Sequence, residues 1–267
     1  MGAEKAPAGP GPVPSPAGVE AAAQVFVDDL EGLTVEVEDR RHLLDVLRLR
    51  PGEVVVACDG RGRWRGCRMT TATLRGDTTP LLEPDGPVTT TPPAVPAVTV
   101  AFVPVKGDRP EWAVQKLTEA GVDRIVVLRS VRAVVRWDED RQVRALDRFQ
   151  RVARHAAAQS RRAYLPEISG VMGLDDLAAR LAPVPLALAH PGGSPPSTAV
   201  PAVAVGPEGG WDPSETGPER LLVGLGPHIL RAETATVAAG LLLCALRSGL
   251  VGPPPTPSDL APGGAGG

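Results

Sequence analysis

The sequence predicts an α/β protein: a mostly parallel sheet flanked by helices, preceded by a small β-rich domain. Three observations predict it. From Val98 onward, apolar strand-like runs alternate with helical patterns, the signature of a sheet built from strand–helix–strand units. Residues 24 to about 85 instead carry short strand patterns broken by glycine turns. Two glycine-rich bends, Val205-Gly-Pro-Glu-Gly-Gly-Trp211 and Leu225-Gly-Pro-His-Ile-Leu-Arg-Ala-Glu-Thr-Ala235, stand where late strands end, and ligands in open α/β sheets bind beyond those ends.

The elements follow in chain order. Residues 1–22 are Pro-, Gly- and Ala-rich and are expected to be a disordered tail. Val25-Phe-Val27 is a short strand, and His42–Leu49 a short helix packing through Leu43, Val46 and Leu47. Pro51-Gly52 turns into the strand Glu53–Cys58, and Asp59-Gly-Arg-Gly62 connects it to Arg63–Met69 as a hairpin. A small barrel over residues 23–88 fits these pieces, with 89–97 as a Thr/Pro-rich linker. Val98–Val103 is a buried strand. Glu111–Ala120 is a helix with Trp112, Leu117 and Ala120 inward and Gly121 as its stop. Arg124–Leu128 is the next strand. Val143, Leu146, Phe149, Val152 and Ala156 recur at helical spacing, so 140–162 reads as a long amphipathic helix with arginines outward. Pro185–Ala189, Pro201–Val205 and Arg220–Leu225 are further strands, and Ala232–Ser248 a buried helix closing a second domain of residues 98–251. Residues 252–267 are again expected to be a disordered tail.

Composition excludes several classes. With 43% apolar residues in 267, the chain can build a real core. Aromatics are 3%, too few for recognition by extended base stacking. Cys58, Cys67 and Cys244 form no CxxC pair, the four histidines are scattered, and no metal site is expected. No apolar run reaches the roughly 18 residues of a membrane span, and no signal-peptide core is visible. The expected location is a reducing cytoplasm. The net charge of −3 hides two basic segments: eleven Arg against four acids over 124–162, and eight Arg against three acids over 40–68. Each reads either as a phosphate-binding face or as a solvated surface.

Three strand ends converge on the expected site: Leu188 to His190, Gly206 to Gly210, and Leu225 to Ala235. Their backbone groups suit an adenine edge and a ribose, with Leu225, Ile229 and Leu230 as an apolar clamp. Gly206-Pro-Glu-Gly-Gly lacks the Lys-Ser/Thr of a P-loop, and no GxGxxG occurs, so a nucleoside cofactor without a triphosphate fits better than ATP. Glu208 reads as a ligand of a ribose hydroxyl, a group that orients the loop or steers a cation, or simply a loop-stabilising acceptor for backbone N–H groups. Arg231 reads as a fork for a phosphate or for a base carbonyl whose negative charge grows during reaction, or as an ion-pair partner of Glu233 or a neighbour. His190 reads as a catalytic group or a packed strand end, and Thr234 as a cap or a ligand contact.

These paired bends closely resemble those of the ribosomal RNA small-subunit methyltransferase E family, SPOUT-class enzymes acting on N3 of a uridine in 16S rRNA. The resemblance extends to Lys106-Gly-Asp-Arg-Pro-Glu-Trp-Ala-Val-Gln-Lys-Leu-Thr-Glu-Ala-Gly-Val122, to Gln159-Ser-Arg-Arg162 with Pro166-Glu-Ile168, and to Phe26-Val-Asp-Asp29, His42–Arg48 and Asp59–Gly62 in the N-terminal part. It covers roughly residues 24–250. It implies a trefoil-knotted, mostly parallel sheet with a PUA-like N-terminal barrel, S-adenosylmethionine as cofactor, 16S rRNA in the small ribosomal subunit as partner, and a homodimer. By position it implies Leu188, His190, Gly206, Pro207, Glu208, Gly209, Gly210, Leu225, Gly226, Ile229, Leu230, Thr234 and Ala235 at the cofactor, with Arg231 and Glu208 at the reaction centre. Arg48, Arg61, Arg63, Arg132, Arg154, Arg161 and Arg162 are the expected RNA contacts. The chain departs from the family pattern at Ala158, where Glu is usual, at Gln24-Val25, where Arg commonly precedes Phe-Val, and at Ser130-Val-Arg-Ala133, where the family has Ser-Glu-Arg-Ser. A related SPOUT enzyme acting on ribose 2′-OH or another base is the nearest competing reading, and a non-catalytic RNA-binding homologue is the competitor from another class.

Overall fold

The computed structural model describes residues 15–71 and 80–252. The expected tails lie outside these residues up to 14 and from 253. Residues 15–22, also expected to be tail, are ordered: Pro16–Gly18 forms a 3-10 turn with Pro16 buried, and Val19 and Ala21 pack beside Phe26, Val56 and Trp64. A Pro/Ala-rich stretch orders when an apolar patch is there to be covered.

The N-terminal part is a mixed five-stranded sheet. β1 (Ala23–Phe26) pairs in parallel with β2 (Val54–Cys58), which pairs antiparallel with β3 (Arg63–Met69). β3 also pairs with β4 (Leu82–Pro84) and β5 (Thr89–Thr90). The expected linker therefore begins inside this sheet. Between β1 and β2, α1 (Val37–Arg41) runs on into a π-helical turn, His42–Val46. Of the apolar residues expected to anchor it, Leu43 is fully buried, but Val46 and Leu47 are 64% and 41% exposed. The π turn shifts side chains off the 3.6-residue spacing on which that expectation rested.

The second part is a six-stranded parallel sheet in the order β11-β9-β10-β6-β7-β8. Its strands are β6 (Thr99–Phe102), β7 (Arg124–Leu128), β8 (Glu167–Met172), β9 (Leu186–Ser194), β10 (Ala202–Val205) and β11 (Leu221–Val223). Every pairing among them is parallel. Successive side chains point to opposite faces, so both faces of the central strands are apolar. Val100 and Phe102 of β6 face α2 (Arg109–Ala120), α3 (Glu139–Gln159) and α5 (Ala232–Arg247), while Ala101 and Val103 face α4 (Leu174–Leu181) and Trp211.

Local chemistry sets the helix ends. The Asp138 carboxylate accepts from the amide of Arg141 at 2.7 Å and caps α3. Gly121 ends α2 at φ +97°, in the left-handed region. Two side chains expected inside are not: Trp112 is 44% and Val143 58% exposed. On α2 the buried stripe is Ala113, Val114 and Leu117, one position round from the expected one.

The chain crosses β9 twice near its end. β10 lies on one side of β9 and β11 on the other, and α5 then returns to pack on α2, β6 and β10. This crossed order accounts for the sheet that the SPOUT resemblance implies.

Candidate active site

β10 ends at Val205, and the chain bends through Gly206 to Gly210. The amide of Gly210 donates to the carbonyl of Pro207 at 2.8 Å, and Gly210 sits at φ +71°. A side chain is strained there. At Gly206 the requirement is space, because a Cβ would come within 3.0 Å of the Trp211 indole. Trp211 is buried, and its indole N–H donates to the Ala189 carbonyl at 3.3 Å. The tryptophan thus ties the first bend to β9.

The rest of this loop is held by residues that motif reading did not single out. The Glu215 carboxylate accepts from the Ser130 hydroxyl at 3.0 Å, from the Val131 amide at 3.2 Å and from the Asp212 amide at 2.9 Å. Arg132 donates to the Asp212 carboxylate at 3.3 Å and to the Gly209 carbonyl at 3.1 Å. Hydrogen bonds from the Ser214 amide and hydroxyl hold Asp212 below the usual carboxylate range, with Arg132 adding to the effect. The loop after β7 and the loop after β10 are therefore one hydrogen-bonded unit. Ser130 and Arg132 belong to the run that departs from the family pattern, and the two residues retained there are the two whose side chains make these bonds.

The second bend begins where two backbones meet. A Cβ on Gly193 would lie 2.5 Å from the Val223 backbone, and one on Gly224 would lie 2.7 Å from the Gly193 carbonyl. The Gly224 amide donates to the Ser194 carbonyl at 2.9 Å. Gly226 follows at φ +150°. Leu225 is half-buried against the core, Leu230 is half-buried, and Ile229 is 88% exposed. Arg231 caps α5 through its backbone, its carbonyl accepting from the Ala235 amide at 2.8 Å. The Arg231 side chain is exposed and, among the described residues, has no ion-pair partner. Glu233 pairs with Arg109 of α2 at 3.6 Å and not with Arg231.

The expected residues distribute unevenly. Gly206, Glu208, Gly209, Gly210, Gly226, Ile229, Leu230, Arg231, Thr234 and Ala235 stand at or near the surface of the two bends, and Pro207 is buried beneath the first. Leu188 is fully buried with Trp211, so only its backbone is free to wall a pocket. His190 is exposed, its Nδ1 2.6 Å from the Pro191 carbonyl.

The arginines divide more sharply. Arg48, Arg61 and Arg63 are exposed, as expected of phosphate contacts. Arg154 is bound internally, donating to the Phe26 carbonyl at 2.7 Å, pairing with Asp39 at 3.0 Å and Glu36 at 3.3 Å, and lying 5.5 Å from the centre of the Phe26 ring. Arg161 donates to the Ala21 carbonyl at 2.6 Å. Arg162 donates to the carbonyls of Thr118 and Val122 at 2.7 and 3.0 Å, and burial draws its pKa down. Arg132 is committed to the first bend. These four hold the protein together, and their partners lie too far along the chain for composition to have separated them from free cations. Gln24, where the family commonly has Arg, is buried and donates to the Arg162 carbonyl at 2.7 Å.

Chemically, the two bends present backbone donors and acceptors where glycine keeps the approach open: nothing lies within 4 Å of a Cβ at Gly210 or Gly226. Leu225, Ile229 and Leu230 add apolar faces, and the bends contain no lysine. That donor set fits a nucleoside-bearing cofactor of little negative charge.

The chain matches a model of the RNA methyltransferase domain over residues 92–243 and of an RNA methyltransferase PUA domain over residues 35–75. It is 34% identical over 221 residues to the ribosomal RNA small subunit methyltransferase E of Mycobacterium bovis, covering 77% of this chain and 83% of that one. A probable rRNA methyltransferase of Porphyromonas gingivalis superposes with a TM-score of 0.72 at 26% identity, over 86% of this chain and all (100%) of that one. A ribosomal RNA small subunit methyltransferase E of Neisseria gonorrhoeae, solved bound to S-adenosyl methionine, has the same fold, with a TM-score of 0.63 at 24% identity over 85% of this chain and 97% of that one. The glycine bends, the crossed parallel sheet and these likenesses agree: the chain belongs to the ribosomal RNA small subunit methyltransferase E family.

Proposed function

We propose that this protein transfers a methyl group from S-adenosylmethionine to N3 of a uridine in 16S rRNA of the small ribosomal subunit. The observation that carries the reading is the pair of glycine bends at the ends of β10 and β11, the strands on either side of β9, with open space around Gly210 and Gly226. S-adenosylmethionine supplies a methyl carbon on a sulfonium: the S–C bond breaks with its electron pair going to sulfur as the N3–C bond forms. Gly206 to Gly210 and Leu225 to Ala235 hold the cofactor through backbone groups, with Leu225, Ile229 and Leu230 against its base.

The chain's own contribution is to orient and to handle charge. Neutral uracil N3 carries a proton and must lose it before its lone pair can attack. The resulting negative charge spreads to O2 and O4, and Arg231, exposed and without an ion-pair partner among the described residues at the start of α5, is the cation beside it. Glu208, exposed on the first bend, is a candidate to receive the proton, as is solvent. Holding N3 in line with the methyl carbon supplies much of the rate. Arg48, Arg61 and Arg63 of the N-terminal sheet contact RNA phosphates. The protein acts in the cytoplasm as a homodimer. Trp112 on α2 and Leu241 on α5, 44% and 53% exposed on packed helices, support such an interface.

The test supplies labelled cofactor and small subunits from cells lacking this protein, then maps the modified nucleoside. Label in N3-methyluridine at one site is expected. Label in a ribose 2′-O-methyl group, or binding of cofactor and subunit without transfer, would overturn the reading in favour of a related SPOUT enzyme or a non-catalytic homologue.

A further inference from the structure

A second feature opens on the same edge of the sheet. A cavity of about 720 Å³ lies between the segment after β6, the loop after β7 and the outer face of α3. Lys106, Arg136, Arg141, Arg144 and Arg148 line it, against the single carboxylate of Glu111. Glu111 is already paired with Arg148 at 3.1 Å. Among the described residues the other four cations carry no side-chain ion pair, in a chain whose net charge is −3. Such a concentration is held against self-repulsion, and a low-dielectric wall focuses its field outward. The wall is present: Phe149, buried, and Trp137, half-buried, line the cavity with their ring centres 6.1 Å apart and tilted by 51°.

Its position is as telling as its charge. β6 is hydrogen-bonded in parallel to β10, so the cavity at the end of β6 and the glycine bend at the end of β10 open side by side. One loop serves both: residues 130 and 132 hold the glycine bend, and residues 136 and 137 wall the cavity. We propose that this cavity is a phosphodiester subsite that grips the rRNA strand beside the target nucleotide. Arg141 and Arg144, one turn apart on α3, take neighbouring phosphates, and Arg136 and Lys106 flank them. The proposal rests on the RNA methyltransferase reading and adds to it where the strand runs: across the ends of β6 and β7, away from the cofactor.

The test compares the wild type with the double variant Arg141→Gln/Arg144→Gln and with Arg151→Gln, whose side chain lies on the same helix but lines a different groove. Affinity for a labelled oligouridylate is measured across a salt series, alongside calorimetric affinity for S-adenosylmethionine and a circular-dichroism melt. The double variant is expected to bind RNA about tenfold more weakly at low salt, and the slope of log affinity against log salt should flatten by about 1.4, roughly 0.7 per lost phosphate contact. Its cofactor affinity and melt should match the wild type, and Arg151→Gln should bind as the wild type does. An unchanged slope in the double variant overturns the subsite. So does an equal loss in Arg151→Gln, which would mean that the charge of α3 as a whole attracts RNA. The two readings separate cleanly. A wild type that binds RNA through these arginines but transfers no methyl group sinks the function and leaves the subsite standing. A wild type that methylates while the double variant is indistinguishable does the reverse.

Discussion

Arg231 and Gly209 have environments that allow their roles to be tested without disturbing the fold. Arg231 is exposed and has no ion-pair partner among the described residues, so removing its side chain breaks no ion pair among them. Arg231→Ala is expected to lower kcat about 100-fold, the order seen on losing one donor to a developing oxyanion. Calorimetric affinity for S-adenosylmethionine should change less than about threefold, since the reduced term is one made in the transition state. The opposite pattern, lost affinity with kcat intact, would remove Arg231 from the reaction centre. At Gly209 a Cβ meets nothing nearer than Arg132 at 4.0 Å. Gly209→Val should therefore melt as the wild type does and yet fail to bind cofactor. Residue roles of this kind are legible in sequence when glycine or an isolated arginine stands at a strand end. They are illegible for Arg154, Arg161 and Arg162, whose acceptors, Asp39, the Ala21 carbonyl and the Thr118 carbonyl, are brought to them only by the fold.

Among the elements, the informative one is the loop after β10. It reads in sequence as a glycine motif, yet what shapes it is Glu215, five residues beyond the motif's end, receiving three hydrogen bonds from two loops. Glu215→Ala leaves the Ser130 hydroxyl and the Val131 and Asp212 amides without their acceptor. It should cost about 1–3 kcal/mol of stability, measured by denaturant unfolding. It should also weaken cofactor binding, because the first bend loses its anchor to the loop after β7. Intact cofactor affinity in a destabilised variant would show that the bend holds its shape alone. Strands β6, β7 and β10 and helices α3 and α5 were legible because their apolar patterns are long or regular. β8 and α4 were not. β8, Glu-Ile-Ser-Gly-Val-Met, is a half-buried edge strand with a glycine in its middle, and α4 is eight residues long, so neither carries enough pattern to stand out. On α2 the expected inward Trp112 is exposed, and the smaller Ala113 and Val114 are the buried residues beside Leu117.

For the whole molecule, the two sheets are joined by a polar bracket and an apolar seam. Arg154 of α3 reaches the Phe26 carbonyl, Asp39 and Glu36 in the N-terminal part. Beside it, Phe26, Val56, Cys58 and Trp64 pack with Ala157 and Ala163. Arg154→Ala strands the Phe26 carbonyl and the half-buried Asp39 carboxylate. It should destabilise the protein by about 1–3 kcal/mol while leaving the salt slope of RNA binding at its wild-type value. A flattened slope with stability intact would return Arg154 to the RNA-binding face. That two domains exist was visible in the change of pattern near Val98. That α3 of one is clamped to β1 of the other was not, since no local signal marks contacts spanning more than a hundred residues.

The shared seam also limits how the protein can be cut. Severing the chain near residue 92 would strip Phe26 and Trp64 from their alanine bed and leave a greasy scar on each half. A fusion designer who wants the catalytic portion alone must therefore repaint that scar with polar side chains, or accept a product that clumps.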